Sequence, residues 1–231
     1  MLLEPGQAYK SPVLFGASTD KGLSALSGAF HRHVRAKLTD RRIANKIRPV
    51  HFNTWEAVYF DLSLERLCTL AEHAREIGAE RFVLDDGWFK NRKSDNAGLG
   101  DWTVDKTIFP AGLAPLINHV YKNDMEFGLW VEPEMVNPDS DLYRAHPDWV
   151  LNTQPAPLLS ARNQLVLDLT RVEVQNYLFK RLDALLSEYP ISYLKWDMNR
   201  AIHQPGDQNG RAVGHTQTHR QYKLLARIRS A

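Results

Sequence analysis

From residue 48 onward, short apolar runs alternate with stretches in which apolar positions recur at helical spacing. Val50-His51-Phe52-Asn53-Thr54-Trp55 reads as a first strand. Ser63 then stands where a helix cap belongs, ahead of Leu64, Leu67, Cys68, Ala71, Ala74 and Ile77, with Gly78 as the stop. Arg81-Phe82-Val83-Leu84-Asp85 reads as a second strand, and a polar, glycine-containing loop follows before a helix over Leu113 to Asn123. A third strand, Glu126 to Val131, runs into Glu132-Pro133-Glu134-Met135 and a proline-rich loop. Leu165 to Leu169 reads as a fourth strand, with Thr170 capping a helix that buries Val174, Leu178, Leu182, Leu185 and Leu186 and stops before Pro190. A fifth strand begins at Tyr193, and a last helix is predicted over Thr216 to Arg229.

The fifth strand carries the clearest chemistry. Side chains alternate along a strand, so Lys195, Asp197 and Asn199 share one side while Leu194, Trp196 and Met198 share the other. That polar side is either the wet face of an edge strand or a site. Alternating strand and helix patterns imply a parallel sheet covered on its outer face, and there a carboxylate between an ammonium and an amide points to a site.

About five strand-helix units, with polar residues gathering where strands end, predict an α/β chain of the (β/α) barrel type, whose sites lie at the C-terminal ends of the strands. A closed barrel needs eight units. The alternatives are an open doubly wound sheet and an incomplete barrel. No glycine-rich phosphate loop follows the first strand, which counts against a dinucleotide-binding open sheet and favours the incomplete TIM (β/α)8 barrel.

Composition narrows the class. A formal net charge of +2 over 231 residues is too balanced to argue for nucleic acid or an anionic membrane, so the basic runs Arg32 to Arg42 and Arg227 to Arg229 read as solvated faces. The single cysteine, Cys68, falls on an apolar helical position and reads as a small buried hydrophobe. It fits a reducing compartment, and with neither a signal-peptide pattern nor a membrane-length run the expected location is cytoplasmic. Residues 1–47 differ from the rest, with scattered prolines and glycines around short strand-like pieces such as Val13-Leu14-Phe15. The His31-x-His33 pair precedes the first convincing strand and has no later cluster to join, so no metal site is expected.

Four segments in order, Asn53-Thr54-Trp55-Glu56-Ala57, Leu84-Asp85-Asp86-Gly87-Trp88-Phe89, Gly128 to Met135, and Lys195-Trp196-Asp197-Met198-Asn199-Arg200, resemble the catalytic barrel of glycoside hydrolase family 36, the α-galactosidases of the raffinose and melibiose group. The resemblance runs from about Pro12 to the last residue. It implies that residues 1–47 are the end of an N-terminal β-sandwich and its linker, and that 48–231 are a partial catalytic barrel. It implies a retaining hydrolase of terminal α-linked galactose that uses neither metal nor organic cofactor, with Asp197 as nucleophile. Lys195 beside it would hold that carboxylate ionised. Lys195 and Asn199 match sugar-binding positions, Asp85 and Asp86 the pair that takes the galactose hydroxyls, Trp55 and Trp130 aromatic walls, and Arg162 a binding arginine. Each has a structural reading beside it: a loop cap for either aspartate, core packing for Trp130, a paired carboxylate for Arg162. Glu132 and Glu134 are chemically eligible as general acid, but the proline between them suggests loop walls. Trp88 and Trp102 read as loop packing.

The sequence also departs from the family. Its general acid/base aspartate and a Cys-x-Ser-Gly-Gly-Gly-Arg segment lie on later strands, and neither motif occurs in these residues. The expectation is therefore a barrel truncated within its catalytic domain, inactive by itself, from a protein whose full-length relatives are homo-oligomers. The remaining alternatives are an inactive galactoside-binding or non-functional fragment lacking the general acid/base, and an α-N-acetylgalactosaminidase.

Overall fold

In the computed structural model, which describes residues 3–11, 13–39, 43, 45–207 and 213–231, the alternating periods resolve into four parallel strands and the helices between them. The chain divides into two units, Met1–Arg48 and Pro49–Ala231. In the first, helix α1 (Gly22–His33) continues into a π-helical turn over Val34–Leu38. Val13, Leu14 and Phe15, expected as a strand, are exposed and form none, because no partner strand lies beside them among the described residues. Arg41 and Arg42 of the basic run lie outside the described residues.

The second unit opens with β1 (His51–Asn53), a one-turn helix α2 (Trp55–Val58) and α3 (Leu64–Glu76). Ser63 caps α3 as its position predicts, its hydroxyl accepting from the Arg66 amide at 3.2 Å. Then come β2 (Arg81–Leu84), α4 (Ala114–Lys122), β3 (Glu126–Val131), β4 (Met135–Val136) and α5 (Asp141–Ala145). β5 (Leu165–Val166), α6 (Val172–Glu188), β6 (Tyr193–Trp196) and α7 (Gly214–Ser230) complete the order. The sheet runs β1-β2-β3-β6, with every pairing parallel. At its base Arg81 lies opposite Glu126, and the two form an ion pair.

Two expectations are corrected. Leu165 to Leu169 is not a strand of the parallel sheet: β5 pairs antiparallel with β4 in a separate two-stranded ribbon, so among the described residues the sheet has four parallel strands where about five were expected. The run is apolar because Leu165, Val166, Leu167 and Leu169 are buried, and an apolar run reports burial whichever sheet it joins. Nor does Thr170 cap α6. Its amide and hydroxyl both donate to the Asp168 carboxylate, at 2.9 and 2.6 Å, and the helix begins at Val172 without a side-chain cap.

The core packs Phe82, Leu84, Phe127 and Leu129 of the sheet against Leu67 and Ala71 of α3, Leu116, Ile117 and Val120 of α4, and Leu178 and Leu182 of α6. Cys68 is half-buried against it and its thiol is free. Gln217 ties α7 down, donating to Leu167 O at 2.7 Å and accepting from the Leu169 amide at 3.0 Å. Among the described residues no helix is long and apolar enough to cross a membrane.

Candidate active site

The sheet places its polar residues where β1, β2, β3 and β6 end. A cleft of about 340 Å³ there gathers every residue singled out from the sequence: Trp55, Asp85, Asp86, Trp130, Arg162, Lys195, Asp197 and Asn199. The alternation of β6 carries on just past its end. Lys195, Asp197 and Asn199 face the cleft, whereas the Trp196 indole points away and donates to Glu134 at 2.5 Å.

Asp197 sits in a set of donors. Trp130 Nε1 and Asn199 Nδ2 each reach its Oδ2 at 2.9 Å, and the Met198 amide reaches Oδ1 at 3.0 Å. Partial burial pushes this carboxyl up, but the three hydrogen bonds and the charge of Lys195 outweigh it and hold its pKa below the ordinary aspartate value. Lys195 contributes least of these. Its ammonium instead binds Asp85 Oδ2 directly, at 2.8 Å, so the group that keeps Asp197 ionised is chiefly the Trp130 and Asn199 pair.

Asp85 and Asp86 are both buried, and neither is a simple loop cap. Asp85 accepts from Lys195, from Asn53 Nδ2 at 2.5 Å and from the Asp86 amide at 2.9 Å, which joins the ends of β1, β2 and β6. Asp86 is held in a two-pronged ion pair by Arg92, Nε to Oδ1 at 2.9 Å and Nη2 to Oδ2 at 2.7 Å. Gly87, at φ +105°, turns the chain immediately after the pair, and a Cβ there would meet Leu62 at 3.0 Å.

Trp130 is both wall and core. It is 2% exposed, its ring lies parallel to Phe89 at 6.3 Å, and its carbonyl accepts from Trp88 Nε1 at 2.9 Å. Trp88 and Trp102 are buried in the same aromatic cluster, as loop packing requires. Arg162 sits at the tip of a tight turn closed by reciprocal Ala161 and Gln164 backbone bonds of 3.2 and 3.0 Å. Arg162 and Asn163 both adopt positive φ, 54° and 58°, a conformation costing roughly 1–2 kcal/mol for arginine and less for asparagine. Among the described residues nothing pairs with the Arg162 guanidinium, which lines the cleft exposed.

Phe60, Arg92, Asp95, Glu132 and Gln164 complete the lining. Of these, sequence reasoning weighed only Glu132, as a possible acid. Glu132 has no exposed surface, and both its oxygens are engaged, Oε1 by the Asn199 amide at 2.5 Å and Oε2 by Gln164 Nε2 at 3.0 Å. Burial, with the charge of Asp197 adding to it, raises its pKa to about 7 against the hydrogen bonds that lower it. Among the described residues Gln164 Oε1 is buried without a partner, so with the Gln164 amide turned that oxygen would accept a hydrogen bond from the carboxyl of neutral Glu132. Below the ordinary glutamate pKa the group is neutral whether the chain is folded or not. As pH rises towards about 7 the unfolded chain releases this proton and the folded chain keeps it, so stability falls across that window, by roughly 3 kcal/mol at most. Urea midpoints measured from pH 4.5 to 8 should therefore fall more steeply for the wild type than for Glu132→Gln. Parallel slopes would contradict the assignment.

A parallel sheet with carboxylates and aromatic walls at its strand ends defines an α/β protein whose site occupies the C-terminal edge of the sheet. The chain belongs to the Melibiase family, whose model matches residues 8–230. It is 45% identical over 227 residues to an α-galactosidase of Escherichia coli, covering 98% of this chain and 32% of that protein. It is 43% identical over 205 residues to α-galactosidase AgaA of Geobacillus stearothermophilus, covering 89% of this chain and 28% of the relative. A crystal structure of an AgaA variant of glycoside hydrolase family 36, in complex with 1-deoxygalactonojirimycin, superposes with a TM-score of 0.87 at 40% identity, over 92% of this chain and 30% of that one. A second AgaA variant, in complex with raffinose, gives 0.85 at 40% identity over the same shares of the two chains. The chain thus spans about a third of the length of these relatives.

Proposed function

We propose that these residues form the galactose-binding and nucleophile-bearing part of a retaining α-galactosidase, built on a segment of a (β/α)8 barrel and acting on terminal α-linked galactose in oligosaccharides such as raffinose and melibiose. The observation that carries this reading is Asp197, ionised and held by Trp130 and Asn199, in one cleft with the Asp85 and Asp86 pair. Asp197 attacks the anomeric carbon, forming a covalent galactosyl ester that water then cleaves with net retention. Trp130 and Asn199 fix the attacking oxygen's direction and leave the carboxylate charged. Asp85 and Asp86, each held by a cation, present fixed acceptors to sugar hydroxyls, and a fixed acceptor discriminates because a sugar lacking the matching hydroxyl leaves it unpaired. Trp55 offers an aromatic face to the sugar's apolar side. Glu132, its pKa raised to about 7, stays uncharged through the mildly acidic range and so keeps a second negative charge away from Asp197 there, and it holds the Asn199 amide. The lone, free Cys68 supports a reducing, cytoplasmic location.

Isothermal titration of the 231-residue chain with 1-deoxygalactonojirimycin and with its glucose-configured counterpart tests the binding half of this reading. The galactose-configured compound should bind at least about tenfold more tightly, the size expected when one buried hydroxyl contact is made or missed. Equal affinity would remove Asp85 and Asp86 from hydroxyl recognition.

A further inference from the structure

Asn137 lies just after β4, outside the cleft lining, and no motif in the sequence marks it. It is completely buried, and its side chain makes every hydrogen bond an amide can. Oδ1 accepts from Arg92 Nη1 and from the Leu99 amide, both at 2.9 Å. Nδ2 donates to Asp95 O at 3.1 Å and to Asn163 O at 2.7 Å. Its backbone is fastened as well, the amide to Leu99 O at 3.0 Å and the carbonyl to Ser140 Oγ at 2.9 Å.

One amide thereby joins two loops that are far apart in sequence. On one side is the loop whose Arg92 grips Asp86. On the other is the turn that carries Arg162. Arg200 holds the base of that turn through Leu159 O and Gln164 O, while Asn137 holds its tip through Asn163 O. The tip is where Arg162 and Asn163 adopt left-handed backbone, which side-chain-bearing residues leave when nothing fixes them.

Resting on the reading of the cleft as a sugar site, we propose that Asn137 is a positioning residue, locking the Arg162 turn to the Arg92 loop so that Arg162 and Asp86 face one sugar at a fixed separation. Only asparagine meets the requirement. Aspartate keeps the Oδ1 contacts to Arg92 and Leu99 but turns an acceptor towards the carbonyls of Asp95 and Asn163, and glutamine is one methylene too long for a filled site.

Asn137→Asp is therefore the informative variant, compared with Arg162→Ala and with the double variant in the full 231-residue chain. Affinity for 1-deoxygalactonojirimycin should fall about tenfold in Asn137→Asp, the size of one buried hydrogen-bonding loss. The double variant should bind within about twofold of Arg162→Ala alone, because the two changes remove one effect. Hydrogen exchange should quicken over 161–164 while the amides of Phe82–Leu84 and Phe127–Val131 keep their protection. If Asn137→Asp does not fold, Asn137→Ser removes the amide without adding charge and carries the same comparison. Wild-type affinity in either variant, losses that multiply in the double, or unchanged exchange over 161–164 would overturn the proposal. A wild-type chain that binds galactose- and glucose-configured compounds alike would instead sink the sugar-site reading, and the exchange result would still decide whether Asn137 locks the turn.

Discussion

Asp197→Ala is expected to abolish turnover and spare binding. The informative protein is a chimera in which this chain replaces the matching residues of the Escherichia coli α-galactosidase, which is 45% identical over 227 residues and supplies the rest of the relative's length. Hydrolysis of an aryl α-galactoside should fall on the order of 10⁴-fold or more, because the covalent step loses its nucleophile. Affinity for 1-deoxygalactonojirimycin should change far less, since Asp85, Asp86 and Lys195 are untouched. Azide, small enough to occupy the vacated space, should restore turnover of a substrate with a good leaving group. If azide fails while the variant still binds, Asp197 positions the sugar and does not attack it.

The second large effect is expected at Arg92. Its guanidinium is 2% exposed and spends its bonds on both oxygens of Asp86, on Ala97 O and on Asn137 Oδ1. Arg92→Leu leaves Asp86 buried without its cation. Breaking a buried pair from one side costs about 3–5 kcal/mol, on the order of 10 °C in Tm for a domain of this size. Removing both charges together costs less than removing one, so Arg92→Leu with Asp86→Leu should recover much of the lost stability. It should not recover sugar binding, because the hydroxyl acceptor is gone. Calorimetry and titration on the same samples separate the two effects. A double variant that binds like the wild type would show that the Arg92–Asp86 pair supports the fold alone.

Much of this was legible from the residues. Alternation along Lys195 to Asn199 puts three polar side chains on one side, as they stand in and just after β6, because strand periodicity is local. The helices α3, α4, α6 and α7 were found to within two residues at each end for the same reason. What escaped depends on tertiary pairing. Leu165 to Leu169 has the composition of a buried parallel strand, and only its partner, the two-residue β4, reveals that it belongs to a ribbon. The Arg162 turn carries no glycine at either left-handed position, and Asn163, which tolerates this backbone, is only a weak local signal for it. Arg92 and Asn137 are single polar residues in loops, and their importance lies in partners up to 45 positions away. The nearness of Lys195 to Asp197 in sequence predicts its small part in keeping that carboxylate charged, but not that its ammonium reaches 110 positions back to Asp85.

The measurement that bears most directly on the central claim is the site of covalent attachment. The chimera would be inactivated with a fluorinated α-galactosyl fluoride that forms the glycosyl-enzyme faster than it releases it, then digested and sequenced by mass spectrometry. A single fluorine-bearing glycosyl label on Asp197, left when the anomeric fluoride departs, is the predicted result. A label on Asp85, Asp86, Glu132 or a residue outside this chain would contradict it.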